Sequence, residues 1–251
     1  MGGLSLGELD HAVVWHDVEC AGYAADLPLW RRLAAQRPGP LLDLGAGTGR
    51  VALDLAGRGH EVSALDSERP LVAALAARAR ERGLDVAAAA ADIRSFALGG
   101  QRFALAIAPM QVFQLLGGAP ERAAALAAVR SHLAPAGLLA VALADPFEGV
   151  SSVDEALPPL PDVREHDGCV FQSTPTRLRS VAGATDIERV RQAVSPSGEL
   201  HESLAVIRLD AVVADELERA ALELGYRVLG RELVPETEAY VGSTVVMLEA
   251  T

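Results

Sequence analysis

The strongest constraint on this chain is the decapeptide at residues 41–50, LLDLGAGTGR. An apolar run ends in three glycines at alternate positions, Gly45, Gly47 and Gly49, and Asp43 sits two residues before the first. A short buried strand running into a turn this free of side chains predicts a parallel strand that passes into a helix. Such a turn lets a nucleotide-like ligand approach the backbone closely. The spacing separates ligand classes. A dinucleotide fingerprint requires G-x-G-x-x-G. Here the position three after Gly47 is Arg50, and the third glycine comes one residue early. The loop therefore argues against a nicotinamide dehydrogenase.

The pattern around the loop repeats. Helical spacing of Tyr23, Leu27, Trp30, Leu33 and Ala34 predicts helix in residues 1–38, stopped by Pro38-Gly39-Pro40. Strands are predicted at 41–44, 61–65, 85–91, 102–108 and 138–144. The helices between them are predicted at 48–58, from Pro70 to Glu81, and at 120–133. Strand alternating with helix predicts a doubly wound α/β sheet, mostly parallel. Ligands on such sheets bind beyond the carboxyl ends of the strands, where Asp66, Asp92 and Asp145 stand. Residues 146–166 read as a loop. Residues 169–174, 178–182, 187–195 and 200–209 read as strands, with a hairpin signal at Ser195-Pro196-Ser197-Gly198. A helix at 213–224 and an antiparallel pair at 226–234 and 240–249 close the chain. The expected division is 1–145, 146–212 as a strand-rich insertion, and 213–251.

Composition removes several function classes. At 251 residues the chain supports one large core with an elaboration. No apolar run reaches a membrane span, and the start MGGLSLGELDHAV has no signal-like character. A soluble cytoplasmic protein is expected. Cys20 and Cys169 are too few for a disulfide framework or a metal cluster, so no metal is expected. The net charge of −12 argues against nucleic acid, which requires a basic footprint. All 22 basic residues are Arg, and the chain has neither Lys nor Asn. That excludes a lysine Schiff base and a P-loop lysine.

The ordered set of motifs resembles the class I S-adenosylmethionine-dependent methyltransferases, over residues 20–145 and more loosely 213–250. The family's acidic-x-Gly-x-Gly-x-Gly loop corresponds to Asp43, Gly45, Ala46, Gly47 and Gly49. Its ribose-binding acid at the end of the second strand corresponds to Asp66, with Ser67 beside it. Its acid near the adenine amino group corresponds to Asp92, followed by Ile93. Ala108 and Met110, in the stretch APMQVFQLL, fall where the family continues after the fourth strand. Ala136 stands where the family often has Gly. Tyr23 lies where relatives place an aromatic residue over the cofactor's methionine end. The resemblance implies a seven-stranded methyltransferase sheet, S-adenosyl-L-methionine as cofactor and S-adenosyl-L-homocysteine as product.

The residues also allow structural roles. Asp43 could cap its own turn, and Asp92 could cap a helix before Ile93-Arg94-Ser95. Ile93, Met110 and Tyr23 could be ordinary core, while Phe113 and Gln114 could face a substrate. Candidate bases are His11, His16, His132, His166, His201, Asp145, Glu148 and Tyr240, and none is singled out; His132 suits a helix end. Neither the proline-rich motif of base-amino methyltransferases nor the Pro-Cys nucleophile of cytosine enzymes is present. Without Asn, the ligand set of metal-dependent catechol-type enzymes is incomplete. The expected function is methyl transfer to an N, O or C atom of a small molecule. Two alternatives are an isomerase or cyclase that uses the cofactor's charge without transfer, and a non-catalytic binding protein. The sequence leaves the oligomeric state open.

Overall fold

The computed structural model describes residues 11–144, 160–238 and 240–251. In chain order the elements begin with α1 (His11–Cys20), α2 (Leu27–Gln36), β1 (Leu41–Leu44), α3 (Arg50–Ala56), β2 (Val62–Asp66) and α4 (Arg69–Glu81). Next come β3 (Val86–Ala90), β4 (Phe103–Ala108), a short 3-10 turn (Val112–Leu115), α5 (Ala119–His132) and β5 (Leu133–Leu143). Then follow β6 (Asp162–His166), β7 (Cys169–Val181), β8 (Ala184–Val194) and β9 (Leu200–Asp210). The last elements are α6 (Ala214–Glu223), β10 (Tyr226–Val234) and β11 (Ser243–Ala250). The chain divides into a large unit, residues 24–145 with 210–251, and a strand-rich unit, residues 1–23 with 146–209.

The large unit is built on a seven-stranded sheet of order β3-β2-β1-β4-β5-β11-β10. Strands β1 to β5 pair in parallel, and β11 runs antiparallel between β5 and β10. This is the doubly wound, mostly parallel sheet with a closing antiparallel pair that the alternation predicts. Every residue of β1 is buried, as a strand covered on both faces requires. The core joins Leu42 and Leu44 of β1 to Leu65, Phe103, Leu139, Val141, Val246 and Leu248 of neighbouring strands. Leu126 and Val129 of α5 and Leu217 and Ala221 of α6 pack against it. The winding direction reverses between β1 and β4, so a crevice opens at their carboxyl ends.

Some boundaries differ from the sequence expectation for local reasons. Helix α3 begins at Arg50 because Gly49, at φ +96°, caps it in the left-handed region. Strand β5 begins at Leu133 rather than 138. Ala136 absorbs the turn at φ +58°, and the pairing with β4 shifts register there. Residues 1–38 do not form a single helical pattern. The chain breaks between α1 and α2, so Tyr23 lies on neither helix.

The strand-rich unit is a four-stranded sheet of order β6-β7-β8-β9. Residues 162–166, expected as loop, form β6, paired antiparallel with β7. The two strands expected at 169–174 and 178–182 are one strand, β7. Its register shifts between Pro175 and Arg177, and that irregularity accommodates the proline. Helix α1 packs on one face through Val14, Trp15 and Val18 against Cys169, Phe171 and Ala193. Trp15 meets the edge of Phe171 with ring centroids 5.3 Å apart. Glu19 fixes the helix further, accepting bonds from Arg191 and from the Ser173 hydroxyl. Among the described residues no helix is long and apolar enough to cross a membrane.

Candidate functional site

The carboxyl ends of β1, β2, β3 and β4 converge at the crevice. They bring together the glycine loop, Asp66 with Ser67, Asp92 with Ile93, and Ala108 with Met110. Backbone bonds hold the rim. The Ala46 N–H donates to the Leu65 carbonyl at 2.8 Å, and the Ala91 N–H to the Asp66 carbonyl at 2.9 Å.

Asp66 ties this rim to the glycine loop. One carboxylate oxygen accepts the Gly47 N–H at 2.8 Å and the other accepts the Glu68 N–H at 2.9 Å. Each oxygen has a second lone pair. The carboxylate is thus oriented by the backbone and keeps acceptor capacity for a neighbouring pair of hydroxyls.

Asp43 differs from it in every respect. It lies in the middle of β1, is 1% exposed, and neither oxygen has a hydrogen-bond partner. It does not cap its turn. Burial pushes its pKa up to about 7, against the Arg50 charge and the nearby Ala52 backbone, which pull it down. A buried carboxylate without partners is costly. A cationic group would relieve that cost.

The three glycines have separate jobs. Gly45, at φ +64°, lies under Val112, whose Cγ2 would be 2.5 Å from an added Cβ. The space over Gly45 is thus filled by the 3-10 turn rather than left open for a ligand. Gly47, at φ +55°, gives its N–H to Asp66. Gly49 lies against Leu75 and Leu53, which would be 2.8 and 3.0 Å from an added Cβ. The third glycine therefore serves close packing of α3 and α4.

Asp92 takes a capping role in an unexpected form. It accepts the Arg94 N–H at 2.9 Å and is gripped by the Arg94 guanidinium, which also reaches Glu121. The Arg94 side chain holds the Asp92 pKa below its ordinary value. Ile93 is buried in the main core beside Leu65 and Phe113. Ala108 is fully buried, Ser67 is exposed, and Met110 is partly buried with a strained φ of +57°. Tyr23 is buried and belongs to the strand-rich unit, so it is not part of the large unit's cluster.

Gln114 does not face outward. It is 2% exposed; its amide donates to the Ala144 carbonyl and accepts the Ala144 N–H, both at 2.8 Å. It also donates to the Asp210 carbonyl at 3.3 Å. His132 is equally structural: its Nδ1 lies 2.8 Å from the Ala128 carbonyl and its ring stacks on Phe96. His166 and His201 are exposed on β6 and β9. His16 lies on α1, and Tyr240 precedes β11. The His11 side chain, Asp145 and Glu148 fall outside the described residues.

Sequence reasoning missed two partners of the loop. Asp26 accepts both terminal nitrogens of Arg50, at 2.6 and 2.7 Å, and also the Trp30 indole N–H at 2.8 Å. Val112 packs over Gly45. The signal for Asp26 was a lone acid just before an amphipathic helix, which reads as a cap. Val112 had no signal of its own.

Known proteins place this geometry. Residues 41–137 match the family model described as a methyltransferase domain, so the chain carries such a domain. Its fold is that of S-adenosylmethionine-dependent methyltransferases of known structure. One similar structure is an S-adenosylmethionine-dependent methyltransferase from Clostridium acetobutylicum, at TM-score 0.71 and 12% identity, covering 96% of this chain and 97% of that one. Another is an S-adenosylmethionine-bound amino pentose methyltransferase of calicheamicin biosynthesis from Micromonospora echinaspora, at TM-score 0.69 and 22% identity, covering 100% of both chains. A third is a sugar N-methyltransferase from Streptoalloteichus, at TM-score 0.68 and 22% identity, covering 98% and 95%. No curated protein matches the chain in sequence.

Proposed function

We propose that the chain binds S-adenosylmethionine at the crevice of the large unit and passes its methyl group to a small organic molecule. S-adenosylhomocysteine is then the product. One observation carries this reading: Asp43, buried with two unpartnered oxygens at the foot of the glycine loop. The cofactor's methionine end carries an ammonium and sits beside a sulfonium, which suits that carboxylate. When bound, the cofactor supplies an electrophilic methyl group. The protein's task is to hold the ligand and align an acceptor with it.

Asp66 suits the ribose diol, because its orientation is fixed by Gly47 and Glu68 and its second lone pairs point at no backbone donor. Asp92 suits the adenine amino group once Arg94 turns fully to Glu121. Ser67 and Met110 border the same crevice, with Ala46, Gly49, Ile93 and Ala108 forming its packed support. Tyr23 remains a proposed contact to the methionine end. Residues 146–212 are assigned the choice of acceptor. The amino pentose and sugar N-methyltransferases of similar fold make an amino sugar the first acceptor to assay. The net charge of −12 supports a small-molecule acceptor over a nucleic acid, and a cytoplasmic setting is part of the proposal.

Titration calorimetry with S-adenosylmethionine and S-adenosylhomocysteine tests the reading. Micromolar binding, weakened at least about tenfold by Asp66→Ala, is expected, the loss of charged-group hydrogen bonds being worth roughly 1.5–3 kcal/mol. No binding of either ligand overturns it. With an acceptor in hand, a product heavier by one methylene supports transfer. A rearranged product of unchanged mass, with the cofactor intact, assigns the site to sulfonium-assisted isomerisation instead.

A further inference from the structure

The chain has four sheet edges, and β9 is the least protected of them. In the seven-stranded sheet, edge strand β3 is five residues long. The other edge, β10, has a register irregularity between Val228 and Gly230 and carries Arg227, Arg231 and Glu232. In the four-stranded sheet, β6 is five residues long, with Asp162, Arg164, Glu165 and His166 among them. Short length, bulges and charges are the usual ways an edge is kept from pairing. Strand β9 has none of the first two. It runs eleven residues, follows β8 through the tight turn at 195–199, and has no strand on its other side among the described residues. It displays Leu200, Leu204 and Val206 at 57%, 65% and 53% exposure.

The charges on β9 fit a copy of itself. By strand alternation Leu200, Glu202, Leu204, Val206 and Arg208 share one face. The bonds of Glu202 to Gln192 and of Arg208 to Asp186 link that face to β8. In an antiparallel pair of two β9 strands centred on Ala205, Leu204 lies opposite Val206 and Glu202 opposite Arg208, each pair occurring twice. Moving the centre to Val206 puts Glu202 opposite Asp210, two like charges. Moving it to Leu204 puts Glu202 opposite Val206. Asp186 takes Nε and Nη2 of Arg208, so Nη1 can meet a carboxylate across the edge. Cross-strand pairs of this kind contribute roughly 0.2–1 kcal/mol each.

We propose that the chain forms a two-fold dimer by antiparallel pairing of β9 with β9 of a second copy, centred on Ala205. The occupant is the same chain, because the register that joins the apolar pairs also joins the opposite charges. The pairing makes one eight-stranded sheet and leaves both glycine-loop crevices at the ends of their own parallel strands. It stands apart from the methyl-transfer reading and survives that reading's failure.

Sedimentation of the full chain tests it. A particle of twice the 26.2 kDa chain mass is expected at micromolar concentration. Leu204→Arg and Glu202→Arg, both at exposed positions, should each give a monomer with an unchanged melting curve. Ala205→Cys places two thiols opposite each other, so mild oxidation should give a covalent dimer on a non-reducing gel. Ser197→Cys, in the turn, should not. A wild-type monomer at about 100 μM overturns the proposal. So does a dimer that survives both charge variants, or one that Ser197→Cys links as readily as Ala205→Cys, because its interface then lies elsewhere.

Discussion

Arg50 and Asp26 meet fork to fork inside the large unit, at 2.6 and 2.7 Å, with side chains 10% and 3% exposed. The pair fastens the residue after the glycine loop to the start of α2, and Trp30 shares the same carboxylate. Removing one member leaves a buried charge without a partner. Arg50→Ala is expected to cost about 3–5 kcal/mol in urea unfolding. Arg50→Lys should recover little of that, because an ammonium cannot reproduce the two parallel bonds. Full recovery by lysine would show that the charge alone matters there.

Asp43 sets a trade between stability and binding. Its folded pKa, about 7, lies above its ordinary value, so the folded chain keeps a proton that the unfolded chain has given up. The stability linked to this group is fully present below pH 4 and is lost as the pH rises to about 7. Asp43→Asn removes that loss. At pH 7.5 the unliganded variant should be more stable than wild type by about 1–3 kcal/mol, the scale of an unmet buried polar group. The gain should shrink towards pH 4. Cofactor affinity should rise with pH through 7 in wild type and lose that slope in the variant. Chemical denaturation and calorimetry across pH 4–8 measure both.

The sheet was legible because its strands are continuous apolar runs closed by Gly, Pro or Asp, and their order follows from the alternation with helices. The loop, Asp66 and Asp92 were legible because strand-end acids after such runs have few other uses. What stayed hidden depended on contacts between distant positions. Val112 is 67 residues beyond Gly45 in sequence, and only the fold brings its side chain onto the glycine. Gln114 reads like an exposed polar residue in a loop, yet three bonds to Ala144 and Asp210 bury it. Strand β7 was divided in two because Pro175 ends strands unless a register shift admits it, and the shift is not encoded in composition.

Asp92 is saturated by Arg94 in the unliganded chain, while Arg94 also holds Glu121. If Asp92 receives the adenine amino group, the ligand competes with that guanidinium. Arg94→Ala should then tighten binding of S-adenosylhomocysteine by about threefold to tenfold, since an exposed ion pair is worth roughly 0.2–1 kcal/mol and its removal frees both oxygens. Asp92→Ala should weaken it. Looser binding in the Arg94 variant, measured by calorimetry, would show that the pair organises the site instead of blocking it.

Ala136 occupies a left-handed conformation, φ +58°, where the resemblance of this stretch leads one to expect glycine. Its carbonyl accepts a bond from Arg37 at 3.0 Å, and the next residue, Gly137, packs against the carbonyls of Phe103 and Ala134, so the turn has no room to relax. A side chain at this φ is strained by roughly 1 kcal/mol, an amount glycine does not incur. Glycine loses more freedom on folding, which offsets part of the gain. Ala136→Gly should therefore stabilise the chain slightly, by about 0.5 kcal/mol, while Gly137→Ala, whose added Cβ would lie 2.8 Å from the Phe103 carbonyl, should destabilise it by about 1–3 kcal/mol. The two neighbouring substitutions have opposite signs because strain at 136 is in the backbone angle and at 137 is in the space. Equal destabilisation in urea titrations would mean that Ala136 is not strained and that the register shift between β4 and β5 sets the turn.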